Sequence, residues 1–591
     1  MSALATLFKS VLPKPALIDL QNNVSNSDQI IGLLVDVGCC FRCVLRFLGN
    51  RHALTHESMP VHILPAVVQQ CGPTAAGRTA IALEGVGAVF TTSTLVDAAE
   101  NGLVENALGA NDGLLADNPS GSTHIGIPKC VCPACLGLLQ IDYASLARQA
   151  HHSFLQRPYV RDNNTFTVSN RMPPQLSIRQ RSISLMIEEA LAATGTLCTV
   201  SSDTNAVDKD TPTAPKAIPT AIDVKEILKY LVSNAFARSS GMTYDGESQL
   251  SLRLHLEHPS TSTDFMFLTE IPHAKFDIKK SRRKGVVIYT GASIDKISKA
   301  VSLSTYEDFK KHAQIPPPAV EQHPTISELD FEHSQIYIAG RYCKLQRGIS
   351  NSPWVIGGKR LTEHSVEELI GSHIDKFFDA GCHKFSSAGR EDADVLMLGT
   401  GRPFYFELIN PRRSIASESE LADLQRLINS SNIDMVSVCD LQIVTKDSTS
   451  IMKDSASSKS KSYSCVVEFV EPVSLETLEG IASQTDIAVS QRNPSRVPRR
   501  ADLVRSKVIE TIMFEPLQMQ AFQEGDTKEG VKTVRVNLKT SAGTYVKEFV
   551  HGDEGRTEPC LASLTKSSSA RVVELDVLEI HLDWPPTKPR E

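Results

Sequence analysis

Hydrophobic residues recur at helical spacing in three segments that share one starting pattern. The segments begin at Asp223, Ser365 and Ser417, and each of these residues has a glutamate three positions later. An acceptor side chain followed by Glu in this way is typical of a capped helix start. The pattern therefore predicts three helices, with Leu421, Leu424 and Leu427 facing inward in the third.

Strand-like alternation predicts the rest of the fold. Four leucines alternate with polar residues over 250–257, which is typical of a half-buried strand. In the last predicted strand, the alternation shifts by one residue between Val577 and Leu578, which indicates a β-bulge. Helices and strands mixed without a βαβ rhythm favour an α+β fold with a mixed, largely antiparallel sheet in the C-terminal half. The predicted strands of that half are 435–445, 463–470, 533–540 and 571–584.

Composition changes mark the boundaries between regions. Consecutive prolines follow Ile315, and the polar stretch 201–220 is expected to be disordered. We therefore expect an N-terminal domain over 1–150, an α+β module over 151–315 and a third domain over 325–591. The Ser- and Lys-rich segment 447–462 is predicted to be a mobile loop.

A polar cluster inside Phe385–Pro411 is the main candidate for chemistry. Gly389, Arg390, Glu391 and Asp392 follow each other directly, and apolar alternation resumes beyond them, which predicts a loop between two strands. An aspartate is ionised at pH 7, yet it needs placement before it can act as a nucleophile. The alternative is a surface turn with solvated charges.

The charge balance limits the partners. The chain has 591 residues with a net charge of −7 and contains no apolar run of the roughly 18 residues that cross a membrane. Nucleic acid must therefore bind through local basic patches. One such patch, 279–284, fits the edge of an RNA-binding module, a solvated charge run or a nuclear-import signal. We expect a nuclear or cytoplasmic monomer; an acid-free start through Lys14 leaves an organellar presequence open.

A second basic patch combines cations with aromatic residues. Over 336–359, Arg341, Lys344 and Arg347 are interleaved with Tyr342 and Trp354. Cations suit phosphates and aromatic rings suit unstacked bases, so this segment predicts RNA contact by the three cations. We expect Trp354 itself to be buried in the core.

Two CxxC pairs predict a metal site. They are Cys40 with Cys43 and Cys132 with Cys135, among 13 cysteines in all. Four thiolates are a usual set of ligands for a structural zinc ion. Buried apolar cysteines or a redox-active pair are the alternatives.

Two stretches together carry a resemblance to a known family. The run from Gly389 to Phe404 and the run Gly543-Thr544-Tyr545-Val546-Lys547 resemble the catalytic motifs of the THUMP-containing archaeal and eukaryotic tRNA pseudouridine(54/55) synthases. One departure is Leu396, where the family usually has an arginine. The resemblance implies a pseudouridine synthase domain, an N-terminal zinc-binding domain with the four cysteines as ligands, and a THUMP-like RNA-binding region.

The resemblance also implies roles for individual residues. Asp392 would be the nucleophile acting on a flipped uridine of the tRNA T-arm, with Lys547 beside it. Arg390, Tyr463 and Tyr545 would contact the substrate. Other RNAs are possible further substrates, and no organic cofactor is expected. The alternative is a noncatalytic RNA-binding or adaptor protein.

Overall fold

The computed structural model describes residues 27–50, 131–194, 221–277, 279–283, 286–290, 293–456, 458–497, 502–521 and 529–586. The chain forms two compact units. The first contains residues 1–157 and 164–332, and the second contains 158–163 and 333–591. The boundaries at residues 150 and 315 remain predictions, and the stretch 201–220 lies outside the described residues.

The first unit combines helices with a small sheet. Its helices are α1 Ser27–Asp36, α2 Phe41–Phe47, α3 Tyr143–Gln156, α4 Leu176–Ala193, α5 Val224–Ser240, α6 Ile294–Leu303 and α7 Tyr306–His312, with 3-10 turns at Leu138–Gln140, Pro259–Thr261, Met266–Glu270 and Pro272–Ala274. Its strands are β1 Thr165–Arg171, β2 Thr243–Tyr244, β3 Leu250–Glu257, β4 Lys279–Arg283, β5 Val286–Thr290 and β6 Thr325–His333. The strands β2, β1, β3 and β6 lie side by side in that order, β1 runs parallel to β2 and β3, and β4 and β5 form an antiparallel hairpin.

Two predicted elements of this unit are confirmed. The four leucines of β3 are buried, whereas the residues between them are more exposed. Helix α5 is capped by Asp223, whose carboxylate accepts a hydrogen bond from the backbone N–H of Lys225 at 2.8 Å. No helix in the described ranges is long and apolar enough to cross a membrane.

The second unit is built on one large sheet. The strands of this unit are β7 Ile336–Lys344, β8 Val355–Ile356, β9 Lys359–Arg360, β10 Cys382–Ser387, β11 Leu396–Ile409, β12 Val436–Val444, β13 Lys461–Val473, β14 Ile487–Gln491, β15 Arg505–Ala521, β16 Glu529–Thr540, β17 Thr557–Glu558 and β18 Ala570–Ile580. The helices are α8 Val366–Phe378, α9 Glu418–Ser431, α10 Lys446–Ala456, α11 Leu475–Ala482, α12 Val546–His551 and α13 Leu561–Thr565. The strand order in the large sheet is β12-β7-β11-β18-β13-β16-β15-β14-β17, with β10 also paired to β11. The β11–β18 pair is parallel and the other pairs are antiparallel, which confirms the mixed, largely antiparallel sheet.

Three local predictions in this unit are wrong. Much of the segment predicted as a mobile loop is helix α10, which Met452 anchors by burying its side chain in the core. Trp354 is 46% exposed because it precedes the short hairpin β8–β9, whose residues are exposed and form a two-stranded sheet of their own. In α9, Leu427 faces solvent, and Ile428 takes the inward position instead because the helix buries a face with Leu421 and Leu424.

The predicted bulge in the last strand is confirmed. Along β13, Ser462 pairs with Glu579 and the next residue, Tyr463, pairs with Val577, so Leu578 is the extra residue of β18. Gly399 of the neighbouring strand lies against this bulge with a positive φ of 60°. A Cβ at Gly399 would lie 2.1 Å from the carbonyl oxygen of Leu578. The close approach of the two strands therefore requires glycine here.

We expect Gly399→Ala to lower the free energy of unfolding by at least about 2 kcal/mol, because alanine is strained at this φ and meets the backbone of β18. Chemical denaturation measures the effect. Gly480→Ala is the matched control, since Gly480 lies inside helix α11 with no atom within 4 Å of an added Cβ. The control should stabilise by about 0.5–1 kcal/mol, and equal effects of the two variants would contradict the prediction.

Candidate functional site

Asp392 lies on a loop between two paired strands, as predicted. The loop connects β10 to β11, whose pairing ends at Ser387 opposite Phe404. Ala388 and Val395 are buried at either end of the loop. The Asp392 side chain between them is 45% exposed and is accessible to a substrate.

A buried ion pair supports the loop from behind. Glu391, the neighbour of Asp392, contacts Arg402 of β11 at 2.7 Å, and both side chains are almost fully buried. Glu391 also accepts a hydrogen bond from the Tyr342 hydroxyl at 3.0 Å, and Asn351 donates to the same hydroxyl at 2.8 Å. Two adjacent residues therefore have opposite roles, since Glu391 faces the core and Asp392 faces solvent.

The three cations predicted to bind RNA have hydrogen bonds inside the protein. Arg341 is 9% exposed, and its guanidinium donates to the carbonyl groups of Thr400 at 2.7 Å, Gly401 at 2.9 Å and Trp584 at 2.7 Å, among others. Its side chain runs into the sheet instead of toward solvent. The expected RNA contact of Arg341 is therefore corrected to a structural role.

Lys344 and Arg347 hold the backbone of the loop that carries Asp392. Lys344 is fully buried and donates to the carbonyl oxygens of Asp392 at 2.9 Å and Ala393 at 3.3 Å, while burial lowers its pKa to about 8. Arg347 donates to the carbonyl oxygen of Asp394 at 2.7 Å. Lys344 is thus also corrected to a structural role, whereas Arg347 keeps a partly exposed side chain.

Two further cations reach the Asp392 carboxylate itself. Lys547 of helix α12 lies 3.4 Å from Oδ2, and Arg496 lies 3.1 Å from the same oxygen. Lys547 also contacts Asp394 at 2.8 Å, and Arg496 contacts the buried Glu548 at 2.7 Å. The pairing of Lys547 with Asp392 agrees with the sequence prediction. The Asp392 carboxylate is therefore held between two cations that each have a second anchor.

The remaining predicted site residues lie around this centre. Arg390 is exposed on the same loop. Tyr463 is partly buried on β13 close enough to Arg402 and Glu391 to interact with their charges, and burial raises its pKa. Tyr545 directly precedes α12, where its backbone N–H donates to Gln491 at 2.9 Å. These residues belong to the unit that contains Asp392.

Arg496 has no sequence signal that marks it as a partner of Asp392. The residue is 104 positions away along the chain and lies in an Arg-rich segment. Its charge was visible in the sequence, but nothing local distinguishes it from the neighbouring arginines. Only the tertiary fold brings the segment after β14 beside α12, where Arg496 contacts Glu548 and reaches the carboxylate.

The four cysteines come together in the first unit as a candidate metal centre. The sulfur atoms of Cys40, Cys43, Cys132 and Cys135 all lie within 4.8 Å of one another. The Cys40 and Cys135 sulfurs are 3.8 Å apart, and the backbone N–H of Cys40 donates to the Cys132 sulfur at 3.2 Å. A tetrahedron with metal–sulfur bonds of about 2.3 Å has edges of about 3.8 Å. The cluster therefore has the size and ligand chemistry to hold a metal ion.

Comparison with known proteins places the chain in a family. Residues 337–581 match the family model described as "Pus10, C-terminal", and residues 132–330 match "Eukaryotic Pus10, N-terminal". The mouse tRNA pseudouridine synthase Pus10 is 31% identical over 94% of this chain and 97% of its own length. The chain belongs to the Pus10 family. The human tRNA pseudouridine synthase Pus10 is 30% identical over 94% of this chain and 97% of its own length.

Membership of the Pus10 family makes this protein a tRNA pseudouridine synthase, an isomerase that acts on RNA. The candidate site lies within the matched C-terminal region. One solved structure, a Cbf5-Nop10-Gar1 complex, aligns with 41% of this chain and 48% of its own length, at 13% identity and a TM-score of 0.21. The family assignment rests on the sequence relatives.

Proposed function

We propose that this Pus10-family enzyme converts uridine to pseudouridine at positions 54 and 55 of the tRNA T-arm, with Asp392 as the nucleophile. The observation that supports it best is the exposed Asp392 carboxylate held between Arg496 and Lys547 at 3.1 and 3.4 Å. A carboxylate fixed in this way is pre-organised for attack, since its orientation does not have to be found during the reaction.

The substrate uridine must leave its stack to reach Asp392. Extrusion costs a few kcal/mol, which contacts to the flipped nucleotide must offset. Arg390, which is exposed two residues after the buried Ala388, would fill the vacated space or hold the RNA backbone. Tyr463 and Tyr545 would contact the uracil ring, since aromatic rings stack on unpaired bases.

The reaction exchanges one bond to the ribose for another. The bond from ribose C1′ to uracil N1 breaks while Asp392 assists detachment, the base rotates, and C1′ bonds to C5. The C5 proton is released and N1 takes up a proton, so the product is an isomer of the substrate. No organic cofactor takes part in this sequence of bonds.

Tritium release from C5-labelled transcripts tests the proposal. The intact protein should release tritium from a tRNA transcript that carries uridine at 54 and 55. Transcripts with cytidine at one or both positions should lose the corresponding share of the signal. Full release from the transcript lacking both uridines would contradict the T-arm assignment while leaving the isomerase activity in place.

We also propose that the cysteine centre holds a structural zinc ion and that residues 151–315 form a THUMP-like RNA-binding module. The four buried sulfurs fit a tetrahedral site, in which all positions are filled by protein as in structural zinc centres. The bound ion would tie helix α2 to the segment before α3, which lie far apart in sequence. Its function is to stabilise the first unit, and no catalytic step depends on it.

Purified protein should contain about one zinc ion per chain, and Cys43→Ser should contain little or none, because the site loses one of four thiolates. Elemental analysis measures the metal, and thermal unfolding should show a lower Tm for the variant. Cys382→Ser is the control, since Cys382 is exposed and lies outside the cluster. Equal zinc contents in the two variants would overturn the proposal.

A further inference from the structure

Lys461 is a buried cation that the mechanism above does not use. It is 9% exposed at the start of β13, the strand that also carries Tyr463. Among the described residues, its ammonium group has no hydrogen bond and no ion pair with another side chain. Buried lysines without a partner are rare because removing the charge from water is unfavourable. Such a group gains a partner when a ligand with an oxygen acceptor binds beside it.

The position of Lys461 indicates where that ligand lies. Its Nζ is 3.6 Å from the point that a Cβ of Gly389 would occupy, three residues before Asp392. Lys461 and Tyr463 are two positions apart on one strand, so their side chains leave the same face. Because glycine has no side chain, Gly389 leaves space between Lys461 and the loop that carries Asp392.

Other cations close to Lys461 increase the positive potential there. Arg402 Nη1 lies 3.1 Å from the same Cβ position of Gly389, and Lys507 interacts electrostatically with Lys461 from β15. Burial and these two charges lower the pKa of Lys461 to about 8. Arg402 is neutralised by Glu391 and Lys507 donates to the Ala542 carbonyl at 2.6 Å. Of these three cations, Lys461 is therefore the one that is free to donate a hydrogen bond to an oxygen atom of a ligand.

We propose that Lys461 binds an oxygen atom of the flipped nucleotide, either a flanking phosphate oxygen or a uracil carbonyl oxygen. This inference rests on the proposed function and names a nucleotide contact for it. An ammonium group can donate to either kind of oxygen, and a hydrogen bond with a charged donor is stronger than one between two neutral groups. The cost of burying Lys461 without a partner in the free enzyme would be recovered when RNA binds.

Equilibrium binding of RNA tests the inference without depending on turnover. The full chain carrying Asp392→Ala is compared with the same chain carrying Lys461→Met in addition, using a T-arm stem-loop with uridine at 54 and 55. The second variant should bind about tenfold to a hundredfold more weakly. Its Tm should be equal or higher, because an unpaired buried charge is removed. Lys461→Arg should retain most of the affinity.

A matched control and a second RNA complete the test. Lys384→Met removes an exposed lysine of β10 that pairs with Glu407, and it should not change the affinity. With a stem-loop that is abasic at both positions, a loss of affinity that persists assigns the contact to phosphate. A loss of affinity that disappears assigns the contact to the uracil carbonyl.

If Lys461→Met binds both RNAs as tightly as its parent, the inference is wrong. Should that variant fail to fold, Lys461→Gln provides the same comparison. Failure of the wild-type enzyme to release tritium would instead overturn the proposed function alone.

Discussion

Replacement of Asp392 by alanine is expected to lower the rate of pseudouridine formation by at least about a thousandfold, because the variant lacks the proposed nucleophile. The fold should be unaffected, since the side chain is exposed and its two cations keep second partners in Asp394 and Glu548. Tritium release under single-turnover conditions measures the rate, and the Tm of the variant should be close to that of the wild type.

The control for Asp392 is Asp423→Ala, which removes an exposed aspartate of helix α9. This variant should release tritium at the wild-type rate. Asp392→Ala should still bind the tRNA transcript. If it also released tritium normally, another residue would have to be the nucleophile, and the site described around Arg496 and Lys547 would lose its function.

Breaking the buried pair between Glu391 and Arg402 is expected to have the largest effect on stability. Glu391→Leu leaves the Arg402 guanidinium buried without its carboxylate partner. Arg402→Leu leaves the Glu391 carboxylate buried without its guanidinium partner. Removing one partner of a buried pair costs about 3–5 kcal/mol, because the remaining charge is uncompensated. Chemical denaturation of each variant measures the loss.

The double variant Glu391→Leu/Arg402→Leu measures how strongly the two charged groups stabilise each other. It should be more stable than either single variant, since no unpaired charge remains. If the losses of the two single variants simply added in the double variant, the two groups would not stabilise each other. Activity should fall in all three variants, because the Tyr342 hydroxyl loses its acceptor or Glu391 loses its anchor beside Asp392.

Much of the site could be predicted from local sequence. Asp392 and Lys547 were identified because each lies in a run of several specific residues, and the structure pairs their side chains. The four cysteines were likewise identified by their spacing, and they cluster. In these cases the functional residues could be identified because the residues next to them in the chain form a specific motif.

The errors concern the direction in which a side chain points. Arg341 and Lys344 were predicted to meet RNA because cations usually face solvent, yet both turn inward and donate to backbone carbonyl groups. Trp354 was expected in the core because large aromatic residues usually are, yet it lies beside a short hairpin of exposed residues. Residue type alone does not determine the direction, since it depends on which strands flank the residue.

The sequence by itself determined the fold class, the family, the position of Asp392 on a loop between strands, and the bulge in β18, because each is encoded by residues close together in the chain. Only the tertiary structure decided which cations reach Asp392, which ones hold its loop from behind, and that Lys461 has no partner among the described residues. These properties depend on distances between strands that are remote in sequence. Local spacing carries no information about such distances until the sheet has formed.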